Sequence, residues 1–127
     1  MRNKFATVVF VAVGLLTVSV PLFAHHGAAV YDTATSVTVK GNVTAWLWTN
    51  PHTFLKVDAK DDSGNAVHWV IEAAAPANLA NAGWTRSTFK PGDEVVVLVE
   101  PYKNQAASSP LGRFKGRIVI NGQVFKP

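Results

Sequence analysis

The sequence predicts a mainly β fold, and three observations support this prediction. Apolar and polar residues alternate with a period of two in three successive segments before residue 73, which is typical of half-buried strands. The pattern then changes to a short alanine-rich segment, and two further apolar segments follow it. This is the element order of an OB-like five-stranded barrel with one short helix between strands 3 and 4. A half-open β-sandwich is the alternative architecture with the same order.

The first predicted strand lies within SVTVKGNVTAWLW, residues 36–48. Strict alternation through this segment places one set of residues on the apolar face: Val37, Val39, Val43, Ala45 and Leu47. The opposite face then carries Trp46 and Trp48. Gly41, in the middle of the strand, indicates a bend or a bulge, and a bulge there would change which residues face the core beyond it.

The next two predicted strands are HTFLKVDA, after a turn at residues 49–51, and AVHWVIE, after the polar turn KDDSGN. Alternate residues are apolar in both segments, and we expect these to face inward: Leu55, Val57, Val67, Trp69 and Ile71. The other face of the second strand carries His52 and Phe54. It would extend the face that bears Trp46 and Trp48.

A short helix and two further strands complete the predicted fold. AAPANLANAGW has Pro76 near its first turn and Gly83 at its end, which indicates about two turns of helix. The turn KPGD then precedes EVVVLVE, a continuous apolar segment typical of a buried strand. An aperiodic loop over residues 101–112 leads to the strand RFKGRIVI, and Asn121-Gly122 predicts a tight hairpin into QVFK.

The first 24 residues have the pattern of a secretory signal peptide. Arg2 and Lys4 form a basic start, an uncharged apolar segment follows, and Ala24 is a small residue suited to cleavage. The segment at residues 5–24 is also close to the roughly 20 apolar residues that span a bilayer, so an uncleaved inner-membrane anchor is the alternative. Either route places the domain outside the cytoplasm. We expect a periplasmic protein with one domain over residues 25–127.

The composition restricts the partners of that domain. Without Arg2 and Lys4, 10 basic residues oppose 8 acidic ones, and the formal net charge falls from +4 to +2. A domain this close to neutrality is a poor electrostatic match for a polyanion, so nucleic acid is not expected as a partner. The chain has no cysteine, so any metal would need nitrogen or oxygen ligands.

Four stretches of the sequence carry a resemblance to a known family. They are His25-His26, VKGNVTAWLWTNPH at residues 39–52, NLANAGWTR at residues 78–86 and KPGDEV at residues 90–95. In this order they resemble a family of small exported bacterial proteins classed as a domain of unknown function. That family often has a serine after the two histidines and an aromatic residue just after Asn-Pro-His, where this chain has Gly27, Thr53 and Phe54. The resemblance implies export and a small β-rich barrel, and it implies no activity.

Three histidines, His25, His26 and His52, are candidate metal ligands. Cleavage after Ala24 would give His25 a free α-amine, which could chelate a metal ion together with the imidazole of the same residue. His26 adds a second imidazole, and His52, at a strand end beside a turn, could approach them. Nitrogen-rich sites suit Cu(II), while Zn(II) would accept imidazoles in a tetrahedral arrangement. The alternative is that the adjacent histidines are solvated at a chain end and that His52 caps its turn.

Aromatic and basic residues form a second set of candidate ligand-binding residues: Trp46, Trp48, Phe54, Arg113 and Lys115. An exposed tryptophan cluster usually marks a binding surface, and the open face of an OB barrel is where ligands commonly lie. The alternative is that a bulge at Gly41 turns both tryptophans into the core, as is more common for aromatic residues in strands. The two basic residues flank Phe114, and this patch suits an anionic glycan or a phospholipid head group.

The sequence indicates a binding protein rather than an enzyme. It contains no Gly-x-Ser-x-Gly, no His-Glu-x-x-His and no phosphate-binding loop. We therefore expect a monomeric periplasmic β-barrel binding protein, with Cu(II) as its candidate cofactor. The alternative function is a metal-free interaction module of the cell envelope, which would bind a small envelope ligand through the aromatic face and the loop at residues 101–112. Contact with the membrane is expected only if the leader stays uncleaved.

Overall fold

A computed structural model describes residues 28–125 of the 127-residue chain. This part contains a short 3-10 helix at Ala28–Val30, one α-helix, α1 (Pro76–Asn81), and six strands. The strands are β1 (Val37–Leu47), β2 (Phe54–Lys60), β3 (Ala66–Glu72), β4 (Glu94–Pro101), β5 (Leu111–Ile120) and β6 (Gln123–Val124). The predicted leader, residues 1–24, lies outside the described residues.

Strand pairing closes the sheet into a five-stranded barrel. β3, β2, β1, β4 and β5 are neighbours in this order, and each is antiparallel to the next. β5 then pairs with β3 in parallel, with Val70 opposite Leu111 and Glu72 opposite Arg113. The segment before β5 extends this seam, because the amide of Val70 donates to the carbonyl of Pro110 over 3.0 Å. A closed barrel with its helix between the third and fourth strands confirms the predicted OB-like fold over the half-open sandwich.

The barrel interior consists of the side chains that a period of two places on one face of each strand. The buried core contains mainly branched aliphatic residues: Val39, Val43, Leu55, Val57, Ile71, Phe89, Val95, Val97, Val99 and Ile118. Side chains of this size fill the interior of a small barrel without leaving a channel. The predicted inward faces of β2 and β3 are confirmed, since Leu55, Val57 and Ile71 have no exposed surface and Trp69 packs against the core.

β1 pairs with β4 through its first half and with β2 through its second half. Gly41 belongs to both pairings, and a Cβ at this position would come within 2.2 Å of the Asp58 carbonyl oxygen. The glycine therefore allows a close approach of two backbones. The bulge itself lies three residues later, between Val43 and Ala45, where the extra residue is Thr44.

This bulge corrects the predicted facing of the second half of β1. Trp46 is paired with the buried Leu55, so it lies on the inner side of the sheet, and Leu47 is 38% exposed. The prediction that Ala45 and Leu47 continue the valine face is therefore wrong. The physical reason is that one extra residue shifts the alternation of inward and outward side chains by one position.

α1 begins at Pro76 and is followed by Gly83, which has the left-handed backbone conformation with φ of 81°. Leu79 is the buried residue of the helix. The amide of Trp84 donates to the carbonyl of Leu79 over 2.9 Å, and the Trp84 ring lies 5.8 Å from the ring of Phe114 on β5. The helix and the residues after it therefore stand beside the seam between β3 and β5.

The β5–β6 hairpin turns at Asn121-Gly122, as predicted. Both residues have positive φ, 50° and 80°, which is the backbone that a type I′ turn requires. The Asn121 side chain also ties this hairpin to the KPGD turn. Its amide donates to Asp93 and its oxygen accepts from the Glu94 amide, both over 2.9 Å.

Replacement of Gly41 by alanine tests the close approach of β1 and β2. We expect Gly41→Ala to lower the free energy of unfolding by about 1–3 kcal/mol, because the new Cβ overlaps a backbone oxygen that cannot move aside independently. Urea denaturation followed by circular dichroism measures the change. Asn42→Ala, at the next and exposed position, is the matched control. Equal stability of the two variants would contradict the steric argument.

Candidate functional site

The seam between β3 and β5 gathers polar side chains from several parts of the chain. Glu72, the last residue of β3, lies opposite Phe54 of β2 on one side and opposite Arg113 of β5 on the other. β4 ends nearby, since Glu100 and Pro101 are paired with the first residues of β5. The register of three strand ends thus fixes which side chains meet here.

The start of the described chain is fastened to this region by backbone hydrogen bonds. The amide of Asp32 donates to the carbonyl of Pro101 over 2.8 Å, and the amide of Lys103 donates to the carbonyl of Val30 over 3.0 Å. Between them, Tyr31 and Tyr102 form an isolated antiparallel bridge. Their rings meet edge to face with centroids 4.6 Å apart, and Tyr31 is only 5% exposed.

Four side chains, Tyr31, His52, Glu72 and Tyr102, form what we call the Glu72 cluster. One carboxylate oxygen of Glu72 accepts hydrogen bonds from both phenols, from Tyr31 and, over 3.1 Å, from Tyr102. The other oxygen contacts Nδ1 of His52. The two phenol oxygens lie 3.3 Å from each other. Glu72 is therefore the centre of a compact set of oxygen and nitrogen atoms.

Burial is the main electrostatic influence on the two phenols. It raises the pKa of Tyr31 above its ordinary value, and the hydrogen bond to Glu72 acts in the same direction. Burial also raises the pKa of Tyr102. Both phenols are therefore protonated donors at neutral pH, which suits their role as partners of the carboxylate.

Arg113 and Lys115, predicted as an anion-binding patch, are both paired with Glu100. Nε and Nη2 of Arg113 each lie 2.7 Å from one carboxylate oxygen, and Nζ of Lys115 lies 3.0 Å from the other. The Arg113 guanidinium also lies 4.3 Å from the centroid of the Tyr31 ring. The hydrogen bonds from Arg113 and then Lys115 hold the pKa of Glu100 below its usual range.

A pocket of about 420 Å³ opens beside the Glu72 cluster. We call it the mouth pocket. Its polar side is formed by Tyr31, His52, Glu72 and Arg113, and its apolar side by the following residues: Ala73, Ala74, Leu79, Trp84 and Phe114. A concave site with apolar walls and a few convergent polar groups is the usual form of a small-ligand site. His52 and Arg113, predicted for two different sites, thus line the same pocket.

The structure separates the predicted aromatic residues. Trp46 packs against the core, with its ring 5.0 Å from Phe89, and its indole N–H donates to the carbonyl of Thr85 over 3.0 Å. Trp48 lies 5.8 Å from Trp46 and is half-buried. Phe54 lies on the outer side of β2. The prediction that Phe54 shares a face with Trp46 is wrong, because of the bulge in β1.

The predicted metal ligands fall into two groups. His25 and His26 lie outside the described residues, whereas His52 belongs to the Glu72 cluster. In the described part of the chain, no three His, Cys, Asp or Glu side chains come together at a metal-binding distance. His68 pairs with Asp58 over 2.7 Å on the exposed face of β2 and β3, apart from the cluster.

Sequence reasoning missed Tyr31, Glu72 and Tyr102 as site residues. They are separated by 41 and 30 positions along the chain, so no local pattern connects them. One signal was available in the composition, because Tyr31 and Tyr102 are the only two tyrosines in the sequence. Both stand next to a predicted element, one before the first strand and one after the fourth.

The fold and the pocket define a small OB-like β-barrel domain with a concave site at its seam. The chain belongs to the family of unknown function DUF6152, whose family model matches residues 12–110. This agrees with the resemblance of the sequence to a family classed as a domain of unknown function. Comparisons with the curated proteins and with the solved structures gave no match. Among residues 28–125, no helix is long and apolar enough to cross a membrane.

Glu100→Gln tests the ion-pair network at the seam. Because the pKa of Glu100 is lowered in the folded state, its charged form contributes stability above its ordinary pKa of 4.5, and this contribution is lost as the pH falls through the lower folded value. We expect the variant to be less stable than the wild type near pH 7 and the difference to shrink below about pH 4.

Urea denaturation across this pH range measures the difference. Glu94→Gln is the control, because the Glu94 side chain is 58% exposed and its contact with Lys40 is 4.0 Å long. A Glu100→Gln variant that is as stable as the wild type near pH 7 would contradict the prediction.

Proposed function

We propose that the protein is an exported binding protein of the periplasm whose ligand site is the mouth of the barrel. Two features support this proposal. The first 24 residues have the composition of a cleavable signal peptide, and the mouth pocket has the size and the mixed lining of a small-ligand site. The proposed role is binding rather than catalysis, in keeping with the absence of a recognised catalytic motif from the sequence.

The observation that carries the proposal is the position of residues 30–32, near the start of the described part of the chain. The hydrogen bonds of Val30 and Asp32 to the end of β4 place Tyr31 against Glu72, the same carboxylate that contacts His52. Four residues, 26–29, lie between His25 and Val30, and the five residue steps that join them span at most about 18 Å. A protein cleaved after Ala24 would therefore have its new amino terminus tethered within reach of the mouth pocket.

The ligand we propose is Cu(II), bound by the α-amine of His25 and the imidazoles of His25, His26 and His52. Nitrogen donors of this kind favour Cu(II) over the other common divalent ions. Contact of His52 with the Glu72 carboxylate also supports the assignment, because metal-bound histidines commonly have a carboxylate partner that orients the ring. The net charge of the chain after cleavage, +2, gives no general attraction to cations, so the donors themselves would supply the affinity.

A second candidate function is metal-free binding of a small envelope ligand near the loop at residues 101–112. A second cavity of about 550 Å³ lies between this loop and the strands, and Gln105, Ala107 and Pro110 line one side of it. Its aromatic lining residues are Trp69 and Tyr102, and the predicted Trp46 and Trp48 do not line it. The loop is held in place because the amide of His68 donates to the carbonyl of Ser108 over 3.0 Å.

Copper titration of the mature protein tests the first proposal. We expect one tight equivalent of Cu(II) for a chain that begins at His25, measured by calorimetry and by electron paramagnetic resonance. One additional glycine before His25 should abolish tight binding, and His52→Ala should weaken it by roughly 10- to 100-fold. Affinity should fall as the pH is lowered, because the α-amine and the imidazoles must be deprotonated to bind a metal.

His68→Ala is the matched control, since His68 is exposed and paired with Asp58 away from the pocket. It should leave the copper affinity unchanged. Equal binding by the glycine-extended chain, or an exported protein that does not begin at His25, would refute the copper site. The metal-free alternative would then be the better account.

A further inference from the structure

We propose a second metal site that requires no free amino terminus: Tyr31, His52, Glu72 and Tyr102 form a binding site for a hard trivalent cation, Fe(III). All four residues belong to the part of the chain that the structure describes. They come from four separate segments, namely the segment before β1, the turn before β2, the end of β3 and the residue after β4. Only the closed barrel brings them together.

Two of the donor pairs are spaced as ligands of one ion would be, and the other two are in closer contact. Tyr102 and Glu72 oxygens lie 3.1 Å apart, the two phenol oxygens lie 3.3 Å apart, and Glu72 also contacts both Tyr31 and His52. Neighbouring ligand atoms at about 2.1 Å from a metal are separated by about 3.0 Å in an octahedral and about 3.4 Å in a tetrahedral arrangement. To bind one ion, the side chains in closest contact would move apart, and His52 would approach it from the side of the second Glu72 oxygen.

The chemistry of the donors selects the charge of the ion. Two phenolates and one carboxylate together carry three negative charges, and the imidazole of His52 binds as a neutral ligand. Fe(III) makes this set electrically neutral, whereas a divalent ion leaves one uncompensated negative charge in a site where Tyr31 is 5% exposed. Imidazole, carboxylate and tyrosinate are each established iron ligands in proteins.

The surroundings favour the same occupant. The Arg113 guanidinium lies 4.3 Å from the centre of the Tyr31 ring, where its positive charge stabilises a phenolate. Arg113 is itself held by Glu100, so the Tyr31 ring rests against a guanidinium of fixed position. Tyr31, His52 and Glu72 line the mouth pocket, which provides an entrance and room for water or an anion at the remaining coordination positions.

Binding at this site exchanges protons for the metal. Each phenol loses its proton, the two hydrogen bonds to Glu72 are replaced by iron–oxygen bonds, and no change of oxidation state is involved. Occupation therefore releases two protons from the tyrosines. The affinity for Fe(III) accordingly increases with pH, because deprotonation of the ligands accompanies binding.

Visible spectroscopy tests the proposal directly, because tyrosinate bound to Fe(III) gives a broad charge-transfer band in the visible range. The purified protein is titrated with Fe(III) supplied as its nitrilotriacetate complex. We expect the band to appear and to saturate at one equivalent. Tyr31→Phe and Tyr102→Phe should each reduce it at least twofold, and the double variant should lack it.

Phenylalanine keeps the ring and removes only the hydroxyl, and circular dichroism of each variant shows whether the barrel is folded. Glu72→Gln, which keeps the shape of the side chain, provides a second folded variant and should weaken binding at least tenfold. His68→Ala, at an exposed histidine outside the cluster, should leave the band unchanged. Absence of the band in the wild type, or its persistence in the double tyrosine variant, overturns the iron site.

The same variants separate this site from the proposed copper site. One glycine added before His25 should abolish copper binding and leave the iron band intact. The double tyrosine variant should bind copper and lack the iron band. Loss of both signals in the glycine-extended chain shows that the iron signal depends on the amino terminus, and this overturns an independent iron site. His52 contributes to both proposals, so it is not used to separate them.

Discussion

The parallel pairing of β3 with β5 is the constraint on which the rest of the structure depends. The antiparallel sheet of β3, β2, β1, β4 and β5 would by itself have two open edges, and this pairing joins them. It also sets the register that brings Glu72 next to Arg113. A shift of one residue would turn each of these side chains to the other face of the sheet. Barrel closure and site assembly are therefore one structural event.

Closure produces two charged networks that meet at Tyr31. In one, the Glu100 carboxylate is neutralised by Arg113 and Lys115, and the low pKa of Glu100 follows from these contacts. In the other, the Glu72 carboxylate is surrounded by neutral phenols and an imidazole. The half-buried Glu72 carboxylate keeps its capacity to bind a cation, because in the described part of the chain no arginine or lysine forms an ion pair with it. The first network supports the site, and the second offers its ligands.

The local parts of this fold could be predicted from the sequence, but the site only in part. His52 and Arg113 were predicted as site residues, whereas the tyrosines and Glu72 were not. Alternation located β2 and β3, Pro76 and Gly83 bounded the helix, and Asn121-Gly122 marked the hairpin, because each signal acts within a few residues. Gly41 indicated a bend or bulge in β1, but the position of the bulge at Thr44 has no local signal, since it lies just after β1 changes its pairing partner from β4 to β2. The tyrosines belong to the site only through barrel closure, and their own neighbours in the sequence give no indication of it.

The Glu72 carboxylate also couples the segment before β1, which contains Tyr31, to the barrel. One of its oxygens contacts His52 and the other accepts from the tyrosines, so any change that turns the carboxylate alters both contacts at once. A cation held by the phenolates would draw Glu72 towards it and change the orientation of the His52 ring. By thermodynamic linkage, a ligand held through His52 would change the affinity for that cation by the same factor. A single half-buried side chain is therefore sufficient to make two ligand sites at this mouth interdependent, without any movement of the barrel strands.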